Sequence, residues 1–339
     1  MPDAICRYSA GQASAVKGHP MSDNVIEARG LKRTYKTRAG VVEAVKGIEL
    51  TVARGKIVGF LGPNGAGKST TLKMLVTLLQ PTAGEATVVG CDLRRDPVGV
   101  RRRIGYVAQN GTTSPEAKVG LEITSQAELY GIAPAESRKR AEELLAALDL
   151  EGVWNRTCGS LSGGQRRRLD IVMGLIHRPE LVFLDEPSTG LDPQSRANLW
   201  AHVRALRDRF GTTVLLTTHY MDEADSLSDE LLVIDHGSIV AKGTSAALKA
   251  GLRGDAMTLT LRRAQDAAPA AAAITATDPA AQVQTDGNIL RYQTPNGATA
   301  LPGLIRDLTA VGIDPIGVEV ARPTLDDVFL TLTGRSLRD

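Results

Sequence analysis

Gly62, Pro63, Asn64, Gly65, Ala66, Gly67, Lys68, Ser69 and Thr70 follow the spacing G-x-x-x-x-G-K-[ST]. Glycines at these places let a backbone wrap tightly enough for its N–H groups to converge on phosphate oxygens. A helix beginning at the end of the stretch would add partial positive charge to the same spot. Lys68 can then reach the β and γ phosphates of a nucleotide, and the Ser69 hydroxyl can bind Mg2+. A glycine-rich turn with a surface lysine is the plainer reading. Position outweighs it: the stretch sits between a strand-like run, KIVGFLG, and an apolar-periodic helix, TLKMLVTLL, which Pro81 is expected to stop.

Further along, the apolar run LVFL ends in Asp185-Glu186. Adjacent carboxylates at the end of a buried strand are costly without a partner. Mg2+ bound to ATP supplies one. Asp185 would hold the ion through water, while Glu186 would face the γ-phosphate and polarise the attacking water. Without the Gly62–Thr70 stretch, the same pair would read as an acidic helix cap. His219 ends another apolar strand, TTVLLTTH. A lone histidine there is more often structural, but its place after a third core strand suits contact with the γ-phosphate. It would align Glu186 and the water, and it need not be the base itself. Gln109 closes IGYVAQ and is weak evidence taken singly. A neutral side chain there could ligate Mg2+ or a water and couple the strands to the helical segment that follows.

These loops need rigid carriers. The strand-like runs IGYVAQN, LVFLDEP, TTVLLTTH and ELLVIDHG are interleaved with helical patterns, one of them from Ser195 to Phe210. That alternation argues for a mostly parallel, covered sheet. From 115 to 157 strand character is lost, and AESRKRAEELLAALDL sets Leu144, Leu145 and Leu148 at helical spacing. A helical subdomain over about 111–165 would lie against the sheet. The runs Arg101–Arg103 and Arg166–Arg168 read as solvated helix faces. The fold class expected is α/β, a P-loop NTPase with a helical subdomain and a small C-terminal α+β domain.

Net charge over the 339 residues is +2, so nothing global attracts nucleic acid or acidic lipid, and no nucleic-acid partner is expected. Cys6, Cys91 and Cys158 are scattered and suggest neither zinc nor disulfides. No run approaches the ~18 to 20 apolar residues needed to span a bilayer. Residues 1–22 read as a disordered leader without the apolar stretch of a secretory signal. The nucleotide-binding domain would fill 23–250. Beyond it, 255–339 reads as an accessory domain. AMTLTLR, the hairpin VQTDGNILRYQT with Asp286-Gly287 in its turn, and PIGVEVAR supply strands. AQDAAPAAAAITATDPAAQ and ATALPGLIRDLTAVG supply helices, the second with Pro302 near its first turn. The order β-α-β-β-α-β is ferredoxin-like, with a bare Ala-rich linker as the alternative. Thr324, with Asp327 three residues on, would cap a last helix.

LSGGQ at 161–165 and TGLD at 189–192 complete a set. LSGGQ alone should arise by chance on the order of once in a few thousand chains of this length. With Tyr35, Gly62–Thr70, Gln109, LVFLDEP and His219 in the same order, residues 24–247 resemble the ATP-binding subunits of ABC transporters. The resemblance implies that Tyr35 stacks on adenine, where an exposed strand tyrosine is the alternative. It implies that Ser162, Gly163, Gly164 and Gln165 reach the γ-phosphate of ATP held by Lys68 of a second copy. The glycines would spare room for backbone to approach that phosphate, and Asp192 would lie in a loop across the dimer interface. Implied cofactors are ATP and Mg2+. Implied partners are a second copy, forming a homodimer, and an integral-membrane permease subunit at the cytoplasmic face of the membrane.

Arg322–Arg335, RPTLDDVFLTLTGR, resembles the ending of the daunorubicin/doxorubicin-resistance type of ABC ATPase, although exporters of other antibiotics, lipids and polysaccharides share parts of it. The implied function is ATP hydrolysis that powers efflux of a drug, antibiotic or lipid. Two alternatives belong to other classes. A soluble ABC-type ATPase acting on ribosomes or DNA is disfavoured by a single ABC domain without long coiled coils or zinc cysteines. A non-transport regulatory subunit is disfavoured by the presence of both Glu186 and His219.

Overall fold

The computed structural model describes residues 23–38, 40–252, 254–279 and 281–334; the expected leader and Arg335 lie outside them. Strands β1 (Asn24–Thr37), β2 (Gly40–Ala53), β4 (Ala83–Val88) and β5 (Cys91–Asp92) form an antiparallel sheet in the order β2-β1-β4-β5. A second sheet holds β3 (Ile57–Leu61), β6 (Ile104–Val107), β7 (Leu181–Asp185), β8 (Thr213–Thr218), β9 (Glu230–Asp235) and β10 (Ser238–Gly243). Its order is β10-β9-β3-β8-β7-β6, parallel except for the edge strand β10. Every residue of β3, β7 and β8 is buried. Such continuous apolar runs are what a sheet covered on both faces requires. Leu61 is level with Thr218, Asp185 with Thr217, and Val107 with Leu184. The loops after β3, β8, β7 and β6 therefore leave from one edge, where ligands bind in sheets of this kind.

Helix α1 (Lys68–Leu75) leaves β3 and ends well before Pro81, contrary to expectation. Thr77 turns left-handed at φ 64°, and the Leu78 and Thr77 N–H groups return to the carbonyls of Lys73 and Met74. This is a glycine-type helix stop made without glycine. After α2 (Pro97–Arg103) come α3 (Val119–Leu129), α4 (Pro134–Ala147) and α5 (Gly163–Leu175), the helical segment. Ile123, Ala127, Leu144, Leu145 and Leu148 share one core with Val107, Leu184 and Leu216 of the sheet. The helical segment is thus bonded by packing to the strands that carry the site. Helices α6 (Pro193–Phe210), α7 (Met221–Leu227) and α8 (Ser245–Ala250) complete this part.

The C-terminal region has its own core. Strands β11 (Asp255–Leu261), β12 (Gln284–Asp286), β13 (Ile289–Thr294) and β14 (Pro315–Ala321) pair antiparallel in the order β12-β13-β11-β14. Against them lie α9 (Ala267–Thr277) and α10 (Gly297–Ala310). The Ala-rich stretch is a helix, not a linker, and buries Ala270 and Ile274 against Leu259 and Leu290. Two details differ from expectation. The hairpin loop is Gly287-Asn288, since Asp286 already pairs with Ile289. Pro302 sits in the second turn of α10, because Asn296 caps that helix from further back. The last helix, α11 (Leu325–Thr333), is capped reciprocally by Thr324 and Asp327. It leaves this core and packs Leu325 and Val328 onto Leu61, Ala224 and Leu231 of the nucleotide-binding part.

Candidate active site

The Gly62–Thr70 loop joins β3 to α1 and is shaped by its neighbours. Gly67 caps α1 at φ 103°, and a Cβ there would stand 2.5 Å from the Ala44 carbonyl oxygen of β2. A Cβ on Gly62 would meet the Ile234 carbonyl oxygen at 2.2 Å. Only glycine fits either place. Lys68 is 4 % exposed and donates to the carbonyls of Gly62 (2.7 Å) and Pro63 (3.0 Å). Burial pulls its ammonium pKa below the usual lysine value, and the nearby Glu186 and Asp185 carboxylates oppose that shift. A cation curled inside its own loop at a helix N-terminus is a poised anion site.

Glu186 is the hub of this edge. It is 8 % exposed, and Oε1 lies 3.6 Å from Lys68 Nζ. Oε2 accepts from Gln109 Nε2 (3.0 Å) and from the Thr189 hydroxyl (3.2 Å). His219 Nδ1 stands 3.4 Å from the same oxygen, an approach that becomes an ion pair only when the ring is protonated. Asp185 Oδ1 accepts from the hydroxyls of Ser69 (2.9 Å) and Thr217 (2.7 Å). The residues Lys68, Ser69, Gln109, Asp185, Glu186 and His219, taken from four loops, therefore meet. Ser69 Oγ, a carboxylate of Asp185 and the amide oxygen of Gln109 are hard oxygen donors of the kind Mg2+ takes, with phosphate oxygens completing the set.

Tyr35 stands on β1 opposite Val42, two residues along β2 from the Ala44 carbonyl that touches the loop. It is half-buried and carries the Arg33 guanidinium 4.7 Å over its ring. Ser162, Gly163, Gly164 and Gln165 lie elsewhere, at the exposed start of α5. Ser162 Oγ accepts from the Gln165 N–H (3.2 Å), and the Gln165 side-chain oxygen accepts from the Ser162 N–H (3.1 Å). This capping box starts the helix at Gly163, so both glycines lie in its first turn. A Cβ on Gly163 would meet nothing within 4 Å, so its face is open. Gly164 abuts Ser195, which donates to Asp192, the cap of α6. The two helix starts form one exposed ledge.

Two residues near the site were not anticipated as part of it. Arg167 is expected in a solvated run, yet it is 7 % exposed and its guanidinium is spent on backbone carbonyls. The loops after β6 and β7 fold over that side of α5, so the charge run has one buried member. Glu223 of α7 is fully buried. It accepts from Ser188 and from Trp200 Nε1 (3.0 Å), tying α7 to the segment after Glu186. Helical spacing is the signal that could have found it: Glu223 lies one position before Ala224 and four before Leu227, both core residues.

Comparison with known proteins agrees with this geometry. Residues 45–189 match the family model described as ABC transporter. The daunorubicin resistance ATP-binding protein DrrA3 of Streptomyces coeruleorubidus is 42 % identical over 320 residues, covering 94 % of this chain and 98 % of that protein. The linearmycin resistance ATP-binding protein LnrL of Bacillus subtilis is 33 % identical, covering 93 % of this chain and all of that protein. Among solved structures, the dimeric post-hydrolysis state of the ATP-binding cassette MJ0796 with ADP and Pi superposes with a TM-score of 0.60 at 26 % identity, covering 65 % of this chain and 98 % of that one. The phosphate loop, the Asp185–Glu186 strand end and the relatives converge: this chain is an ATPase, and it belongs to the ATP-binding subunits of ABC transporters, in the daunorubicin/doxorubicin-resistance group.

Proposed function

We propose that two copies of this chain bind ATP in two shared sites and that hydrolysis there powers export of a drug or antibiotic through a separate integral-membrane subunit. The observation that carries the reading is the hub at Glu186, where Lys68, Gln109, Thr189 and His219 converge on one buried carboxylate. In this reading the β and γ phosphates enter the loop, and Lys68 leaves the Gly62 and Pro63 carbonyls to meet them. Tyr35 stacks on the adenine from β1. Ser69, Asp185 and Gln109 would hold Mg2+, which would supply positive charge beside the phosphates. Glu186 polarises the attacking water, and His219 keeps the carboxylate and the γ-phosphate in line.

The exposed ledge of Ser162, Gly163, Gly164, Gln165 and Asp192 then closes the site of the other copy. Open backbone at Gly163 and the start of α5 offer N–H donors to a γ-phosphate across the interface. Loss of that phosphate removes the link between the copies and shifts an open–closed equilibrium. The dimeric state of the cassette MJ0796 supports this arrangement. Among the described residues no helix is long and apolar enough to cross a membrane, so export needs a spanning partner. The helical segment suits docking on that partner. A cavity of about 240 Å³ is lined by Leu78, Tyr106, Asn110 and Tyr130. Leu121 and Leu129 of α3 are 61 % and 82 % exposed. Relatives named for daunorubicin, doxorubicin and linearmycin resistance support a drug or antibiotic as cargo.

Glu186→Gln tests the chemistry. The variant is expected to bind ATP as the wild type does and to hydrolyse it at least ~100-fold more slowly, within the range for loss of a general base. Wild-type turnover would remove Glu186 from the mechanism. Equilibrium binding and phosphate release, measured on the same preparation, separate the two outcomes.

A further inference from the structure

We infer that Arg167 is a positioning residue for ATP hydrolysis, holding the backbone on both sides of Glu186 and the segment that carries Gln109 from the helix that begins at Ser162. Its three guanidinium nitrogens meet three carbonyls on two stretches of chain. Nε donates to Pro187 O (2.9 Å), Nη2 to Asp185 O (3.0 Å) and Nη1 to Ala108 O (2.5 Å). Asp185 and Pro187 flank Glu186 in the chain, and Ala108 precedes Gln109, whose amide donates to Glu186.

What is held is a strained backbone. Glu186 sits at φ 44°, in the left-handed region that side chains rarely adopt. Such a conformation persists only where its surroundings over-determine it, and it concentrates at reactive sites. From one side the Thr217 hydroxyl takes the Glu186 N–H at 2.9 Å. From the other, Arg167 takes the carbonyls before and after it. A planar five-donor fork can do this; the single ammonium of lysine cannot.

Ion pairing does not explain the placement. The nearest carboxylate, Asp170, is 3.9 Å away, and burial pushes Arg167 down and Asp170 up from their ordinary values. A buried charge without a close carboxylate has to be satisfied by other hydrogen-bond acceptors. Its carbonyl contacts are the remaining reason for its presence. Arg167 lies five residues past Ser162 on one rigid helix. Movement of the ledge on a partner's ATP and alignment of this chain's own Glu186 then become one motion. This coupling rests on the shared-site reading above.

The test uses the full chain with Arg167→Gln and Arg167→Lys. ATP itself is the probe, in equilibrium binding and in steady-state turnover. Both variants are expected to keep the wild-type number of ATP sites per chain and a Kd within twofold, while kcat falls at least tenfold. Lysine is not expected to rescue. A kcat per bound ATP within twofold of wild type in either variant would overturn the inference, as would loss of ATP binding in the folded lysine variant. Should the glutamine variant fail to fold, the lysine variant decides. Dimerisation of Glu186→Gln protein on adding ATP, followed by light scattering, is read separately. Its failure counts against shared sites, whereas normal turnover in the Arg167 variants counts against the inference alone.

Discussion

Glu223 shows what a single buried proton can do. Burial is the chief cause that lifts its carboxyl above the ordinary range, while Ser188, Thr218 and Trp200 pull the other way. An acid whose folded-state pKa is raised favours the fold below its unfolded value of 4.5, and that contribution is lost as pH rises through the folded value. Glu223→Gln cannot ionise. It is expected to melt above wild type at pH about 8 and to lose that advantage as pH falls toward about 4.5. Melting curves across that range check it, and an advantage that does not change with pH would contradict the assignment. At this scale local spacing singled out Lys68, Ser69, Asp185 and Glu186, which the fold brings together at one sheet edge. It was not legible for Glu223 and Arg167, because charged residues on helices read as solvated. What buries Arg167 is two loops from β6 and β7, each distant from it along the chain.

The strands were legible because a sheet buried on both faces demands largely apolar or β-branched runs, and IVGFL, LVFL and TVLLTT are such runs. Helix ends were less so. The stop at Thr77 uses a left-handed threonine, which carries no glycine or proline to announce it. The start of α5 was written as Ser162-x-x-Gln165, a capping box that two glycines disguise. The destination of α11 could not be read at all. Its amphipathic pattern predicts a helix with one apolar face, but not that the face returns to Leu61, Ala224 and Leu231. That return ties the C-terminal region to the strand that carries the phosphate loop. Leu325→Ala is expected to cost about 2 to 5 kcal/mol, the range for a buried leucine truncated to alanine. Leu330→Ala, at a side chain 50 % exposed on the same helix, is expected to stay within about 0.5 kcal/mol. Chemical denaturation of the two variants checks both, and equal effects would show that α11 does not dock by this face.

The whole molecule presents two unlike surfaces around one sheet edge. One is a buried polar hub, with Lys68 curled inward and Glu186 held by neighbours from three loops. The other is the exposed ledge of Ser162 and Asp192, whose side chains cap their own helix starts. The central claim is that the ledge of one copy completes the hub of another. Ser162→Ala alone is an ambiguous probe, since loss of an N-cap costs about 0.5 to 2 kcal/mol of helix stability by itself. Complementation removes the ambiguity, because a defect of folding is not repaired by a second chain. The decisive measurement is the ATP turnover of Ser162→Ala protein as Lys68→Ala protein, expected to hold the phosphates poorly, is added. Shared sites predict that the rate rises above the sum of the two variants, since each mixed dimer regains one intact pairing of Lys68 with Ser162. A rate that stays at that sum would contradict them.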